Sequence, residues 1–140
     1  MRLLKYIDKN NISNCYLYPK NVIEFLDLID KNKFFRKVII FFPDPWPKKK
    51  HFKRRLINKN FLLKLHKYLH DDCEVYVATD STPYIVEILT AINELKSLFL
   101  WKNSTELHLS VKDYFNIETK FYKKSIISGI IPTIFVLKKI

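Results

Sequence analysis

Apolar residues recur along this chain in two alternating rhythms, one of short continuous runs and one of helical spacing. Lys37-Val38-Ile39-Ile40-Phe41-Phe42 is nearly all apolar and is ended by Pro43; a run this short and this greasy suits a central parallel strand covered on both faces. Cys73 to Thr79 reads as a second strand and the β-branched stretch Ile131 to Leu137 as another, while Asn14 to Tyr18, closed by Pro19, is a shorter one. Between them the spacing turns to i, i+3, i+4. Val22 to Ile29 predicts a short helix, and Asn58 to Leu69 puts Phe61, Leu62, Leu65, Tyr68 and Leu69 on one helical face, with Asp71-Asp72 marking its end. A further helix over Tyr84 to Glu94 follows Ser81 or Thr82 as cap, with Pro83 at the favoured first turn. Leu98 to Leu109 fits neither rhythm cleanly and is read as one strand.

Strand alternating with helix predicts an α/β fold with a mostly parallel sheet, right-handed crossovers and helices on both faces. Ligands of such sheets sit beyond the carboxyl ends of the strands. Asp44 lies just past the end of one strand and Asp80 just past the end of the next, so the topology alone brings two carboxylates to one rim.

Composition narrows the chemistry. At 140 residues with 48% hydrophobic residues the chain fits one folded domain. No apolar run approaches the roughly 20 residues of a membrane helix, and Met1 to Asn14 has no signal-peptide pattern; the expected location is cytoplasmic, and the expected state a monomer. Gly129 is the only glycine, which excludes a glycine-rich phosphate or dinucleotide loop within these residues. Cys15 and Cys73 form no CxxC pair and are read as buried thiols, and His51, His66, His70 and His108 show no ligand spacing, so no metal is expected. No Ser or Cys stands in a nucleophile-elbow context.

The formal charge is +11. From Pro45 to His70 there is no acidic residue, and a second acid-free stretch follows Glu118 with Lys120, Lys123, Lys124, Lys138 and Lys139. Two clean basic blocks favour phosphate contact over charge scattered for solubility, a solvated basic face being the alternative. The first block is Lys48, Lys49, Lys50, His51, Phe52, Lys53, Arg54 and Arg55, directly after Pro43-Asp44-Pro45-Trp46-Pro47. The flanking prolines pre-set the backbone around Asp44, and Trp46 offers a face for stacking; a rigid turn with a capping Asp and a core Trp is the other reading. Asp80 suits the amino and imino donors of a base edge or, alternatively, caps a helix. Thr119-Lys120-Phe121 joins a hydroxyl, a cation and an aromatic ring.

Phe41 to Lys49 with His51 and Lys53-Arg54-Arg55, Ala78-Thr79-Asp80 with Pro83-Tyr84, and Thr119-Lys120-Phe121 with Gly129 together resemble, in order, three segments of the tRNA (guanine-N7)-methyltransferase family. The resemblance covers essentially the whole chain but only the later part of the family's length. It implies a partial Rossmann-like methyltransferase sheet lacking its first two strands, residues 1–140 forming the C-terminal portion of that domain. It further implies methyl transfer from S-adenosylmethionine to N7 of a guanine in the tRNA variable loop. By the resemblance Asp44 is the catalytic and cofactor-side acid, Asn21 lies near the cofactor adenine, and Lys48, Asp80, Thr119, Lys120, Phe121 and Tyr122 meet the substrate guanosine. Lys50, His51, Phe52, Lys53, Arg54 and Arg55 contact the RNA. Two departures stand out. Tyr122 occupies a position where the family has Glu, and the family's glycine-rich cofactor loop and ribose-binding acid would precede Met1. The expectation is therefore either an enzyme, as a fragment or a natural truncation, or a non-catalytic tRNA-binding remnant of one.

Overall fold

A computed structural model of the chain describes residues 2–29, 35–105 and 109–140. Helices α1 (Arg2–Lys9) and α2 (Val22–Leu28) precede β1 (Phe35–Phe41); a 3-10 helix (Lys49–Arg54) and α3 (Lys59–His66) lead to β2 (Leu69–Thr79). Then come α4 (Thr82–Glu94), β3 (Phe99–Trp101), a 3-10 turn (Val111–Asp113), α5 (Lys120–Ile127) and β4 (Thr133–Lys139). The strands lie in the order β1-β2-β4-β3. β1 and β2 are parallel, with Phe41 opposite Ala78. β4 is inserted antiparallel to both β2 and β3, so three of the four strands point the same way and the sheet is mostly parallel, as the alternation predicts.

β2 and β4 are the central strands, and both of their faces are covered. Cys73, Val75 and Val77 of β2 with Phe135 and Leu137 of β4 join the cluster under α3 and α4. The alternate residues Tyr76, Ala78, Ile134 and Val136 join a smaller cluster with Val111 and Tyr122 on the other face. The period of two thus splits a continuous apolar run into two cores. Caps fix the helix starts: Asn58 accepts from the Phe61 N–H at 3.0 Å, Asn21 from Ile23 at 2.8 Å and Thr119 from Tyr122 at 3.1 Å. The lone glycine ends α5. With φ +74°, Gly129 donates to Ile126 while Ile130 reaches back to Ser125, both at 2.9 Å, the double closure of a Schellman turn that sends the chain into β4.

Several expectations are corrected. Asn14 to Tyr18 is not a strand; among the described residues it has no strand to pair with, and Tyr18 packs instead on Phe25 of α2 at 5.0 Å. The apolar run at Val38 is an edge strand rather than a central one, paired only with β2. Asp71-Asp72 do not end α3, which stops at His66; they form a bulge within β2, where the register jumps between Phe35 and Lys37 and Asp72 adopts φ +66°. Lys138 pairs with Asp72 there at 2.7 Å. Among the described residues of Leu98 to Leu109, three are in a strand (Phe99–Trp101), because buried Asn103 takes over the pairing: it accepts from the Trp101 indole at 2.7 Å and the Val136 N–H at 3.0 Å, and donates to the Ile134 carbonyl at 3.0 Å. Residues 106–108, His108 included, lie outside the described residues. Cys15 is exposed, not buried. Cys73 is buried, and burial pushes its thiol up to about 11.

Candidate functional site at the carboxyl ends of β1 and β2

The chain leaves β1 through two bulky residues in the left-handed region, Phe42 at φ +52° and Trp46 at φ +41°. Three prolines between and after them fix φ near −65°, so the reversal of direction falls on the aromatics, an arrangement that persists only when the surroundings hold it. They do. The Phe42 N–H donates to the Ala78 carbonyl at 2.8 Å, and its ring stacks on Phe121 of α5 with centroids 6.0 Å apart. Trp46 meets the edge of His51 at 5.6 Å and lies under the Arg54 guanidinium at 5.0 Å. Asp44 is thereby carried at an anchored loop tip, exposed, with no ion pair or hydrogen bond to its carboxylate among the described residues.

Beside this loop is a cleft of about 350 Å³ whose lining includes Asn21, Val22, Ile23, Asp44, Trp46 and Lys53. Asn21 and Asp44, far apart in sequence, meet here. The amide oxygen of Asn21 is committed to capping α2, which leaves its NH₂ as the available group. The rim continues into the 3-10 helix, where Lys48, Lys49, Lys50, Lys53 and Arg54 are exposed and His51 and Phe52 half-buried.

Arg55 departs from this pattern. Against the expectation that it lines the RNA with its neighbours, its side chain is buried, 1% exposed. Its Nε donates to the Pro45 carbonyl at 2.7 Å, and Nη1 reaches the Pro83 carbonyl at 3.2 Å and the Glu87 carboxylate at 2.7 Å. A guanidinium withdrawn from water needs acceptors inside the fold; Nε and Nη1 have them, while Nη2 is buried without one among the described residues.

Asp80 follows β2, in the loop that enters α4. It does not cap that helix: Ser81 holds the cap position, without a side-chain bond. The Asp80 carboxylate instead accepts the hydroxyl of buried Ser125 from α5, which also lies 3.0 Å from the Phe121 carbonyl. Thr119 spends its hydroxyl oxygen on the α5 cap, Lys120 is exposed, and Phe121 keeps most of its ring in solvent. Tyr122, expected from the resemblance to meet the substrate, has its ring buried in the second core cluster, because it stands on the sheet-facing side of α5. Sequence reasoning missed Ser125 and Glu87. Ser125 shares a helical face with Phe121, four residues earlier, but only its burial distinguishes it from the other small polar residues of the segment.

Among the described residues there is no cluster of His, Cys, Asp and Glu able to hold a metal, and no helix is long and apolar enough to cross a membrane.

Comparison with known proteins converges on one group. A family model described as "Putative methyltransferase" matches residues 1–129. A tRNA (guanine-N(7)-)-methyltransferase of Buchnera aphidicola subsp. Schizaphis graminum is 36% identical over 142 residues, covering 99% of this chain and 57% of that relative. The enzyme of the same name from Neisseria meningitidis serogroup B is 34% identical over 119 residues, with 85% of this chain and 48% of the relative aligned. The one from Neorickettsia sennetsu is 38% identical over 96 residues, 69% of this chain and 44% of the relative. The chain therefore spans about half the length of the curated relatives it matches.

Proposed function

The chain belongs to the methyltransferase family whose model spans residues 1–129, and from that premise we propose that it carries the acceptor side of a tRNA (guanine-N7)-methyltransferase site. The observation that carries this reading is the placement of Asp44 and Asp80 beyond the carboxyl ends of two adjacent parallel strands, in register at Phe41 and Ala78, with five exposed cations of the 3-10 helix segment alongside.

N7 of guanine is already a lone-pair nucleophile, so the reaction needs orientation more than a strong base. Asp80, with one oxygen fixed by Ser125, has the other available for the N1 and N2 hydrogens of the base. Asp44 faces the cleft as an uncompensated carboxylate and offsets the positive charge that the purine ring gains on methylation. Trp46 and Phe121 offer rings for stacking, Lys48 and Lys120 approach the guanosine, and Lys49, Lys50, Lys53 and Arg54 track the phosphates. S-adenosylmethionine, when bound, supplies an electrophilic methyl group on sulfur. The described residues fit only part of that donor. Asn21, Val22, Ile23 and Asp44 line a cleft at its expected side, but Gly129 ends α5 and no glycine-rich turn or ribose-binding acid is among them.

Incubation with S-adenosylmethionine and unmodified tRNA is expected to form 7-methylguanosine, read by nucleoside mass spectrometry, and Asp44→Ala is expected to abolish it. No product from the unsubstituted chain would sink the catalytic reading. The incomplete donor cradle favours a second reading, a tRNA-binding module without catalysis. It predicts tRNA binding that falls with salt at a log-log slope near about −4, as about five displaced counterions require, with no donor binding by calorimetry.

A further inference from the structure

Arg55 sits at a junction. From the end of the 3-10 helix it contacts the loop that carries Asp44 and the helix start that follows Asp80: the Pro45 carbonyl, one residue after Asp44, and the Pro83 carbonyl in the first turn of α4, three residues after Asp80. Glu87, about one turn further along α4, takes the same Nη1 at 2.7 Å, which ties the guanidinium to that helix by a second residue. The guanidinium is packed 3.6 Å from the centre of the Phe52 ring and 5.1 Å from that of Tyr84. Tyr84 in turn accepts the Ile57 N–H at 2.6 Å, and Asn58 donates to the Arg55 carbonyl at 2.8 Å. The side chain is thus held on its Nε and Nη1 side and over its faces, with Nη2 buried and without a hydrogen-bond partner among the described residues, while Phe42 and Trp46, on either side of Asp44, hold unfavourable backbone angles. A strained loop without its own hydrogen-bond ladder keeps one conformation only if something outside it fixes its carbonyls.

We propose that Arg55 is a positioning residue, a clamp that sets the spacing between the Asp44 loop and the start of α4, which directly follows Asp80, rather than a contact to RNA. Its effect on methyl transfer rests on the function proposed above; the clamp itself does not. The planar fork is what the role requires, since two of its nitrogens address carbonyls of two separate segments at once, the Asp44 loop and the first turn of α4. A lysine ammonium on a flexible stem keeps the charge and the partner Glu87 but cannot reproduce that geometry.

The test uses the full chain labelled with 5-fluorotryptophan, whose two tryptophans report on the Asp44 loop (Trp46) and on the far end of the sheet (Trp101). In Arg55→Lys the Trp46 fluorine resonance is expected to shift or broaden while that of Trp101 stays in place. The tRNA salt slope is expected to remain that of the parent, whereas Arg54→Ala loses about 1 from it. Where the parent chain is active, kcat is expected to fall between about 10-fold and about 100-fold with KM for tRNA unchanged, the usual consequence of a misplaced reacting group. If Arg55→Lys disturbs both resonances, the double variant Arg55→Met/Glu87→Leu removes the buried charge and its counter-ion together, and its Trp46 resonance is expected to move alone. An unmoved Trp46 resonance in a folded variant overturns the clamp, and so does a salt slope reduced as in Arg54→Ala. A parent chain that makes no 7-methylguanosine defeats the proposed reaction and leaves the fluorine spectrum to decide on Arg55.

Discussion

The hydrogen bond from Ser125 to Asp80 shows how much of this site depends on single groups. Ser125 is 2% exposed, so its hydroxyl does not exchange partners with bulk water, and Asp80 is the acceptor it meets. A carboxylate held by one oxygen has its second oxygen aimed, which is what recognition of a base edge needs. Ser125→Ala fits the helix and removes only this restraint. A charge-assisted bond contributes about 1.5 kcal/mol to folding, so urea-induced unfolding is expected to show a loss of about that size and, where the parent chain is active, kcat/KM for 7-methylguanosine formation is expected to fall about tenfold. An equal loss on adding Ser125→Ala to Asp80→Ala would show that the serine does not work through the aspartate. This residue also marks how far the sequence could be read. Asp44 and Asp80 announce themselves because each directly follows a strand pattern, and the basic run because it excludes acids. Arg55 and Ser125 do not, since a buried cation and a surface cation look alike in sequence, and so do a buried and an exposed serine; burial is a tertiary property.

Thr119 illustrates the same division for whole elements. It falls in the segment that the family resemblance assigns to substrate, yet its oxygen accepts the Tyr122 N–H at 3.1 Å and starts α5. α5 has eight residues, too few to persist on propensity alone, and it carries Phe121, Ser125 and the lysines of the second basic block. Thr119→Ala is expected to lower unfolding stability by about 1 kcal/mol in urea titration, and Thr119→Asn, a cap of equal quality, to restore it. Activity that returns with Asn assigns the residue to the cap; activity that stays lost while stability returns assigns it to the substrate. Helices α2, α3 and α4 were legible, because each shows apolar residues at i, i+3 and i+4 with Asn or Pro at the start, whereas α1 and α5 were not predicted. The strands were less so. A continuous apolar run identifies a strand without saying which neighbours it has, so β1 reads as central but stands at the edge, and the Asn103 network that ends β3 after three residues leaves no periodic trace.

For the molecule as a whole the consequential feature is that edge. β1 is hydrogen-bonded to β2 on one side, and at the other the described residues provide no strand, although the sheet elsewhere is closed over on both faces. An unpaired edge is a template for another strand unless something discourages pairing. Arg36 and Lys37 do so over the first half of β1, both exposed; from Val38 to Phe41 there is no charge, and Ile39 is 47% exposed. Next to it an apolar cleft of about 420 Å³ runs between α2, β1 and α3, lined in part by Val22, Phe25, Val38 and Ile40. Edge and cleft together give a second chain both backbone partners and a place for side chains. The net charge of +11 opposes that approach through long-range repulsion, which salt screens. The two terms therefore predict an ordering that neither gives alone: monomer in dilute, low-salt solution, as composition suggests, and growing association as protein concentration and ionic strength rise together. Ile39→Lys places a charge on the bare half of the edge and is expected to keep the chain monomeric under the conditions where the parent associates, as measured by light scattering across a concentration series at low and high salt. Association that persists unchanged in Ile39→Lys would place the contact elsewhere, and association that weakens as salt is added would mean that charge, not the open strand, brings the chains together.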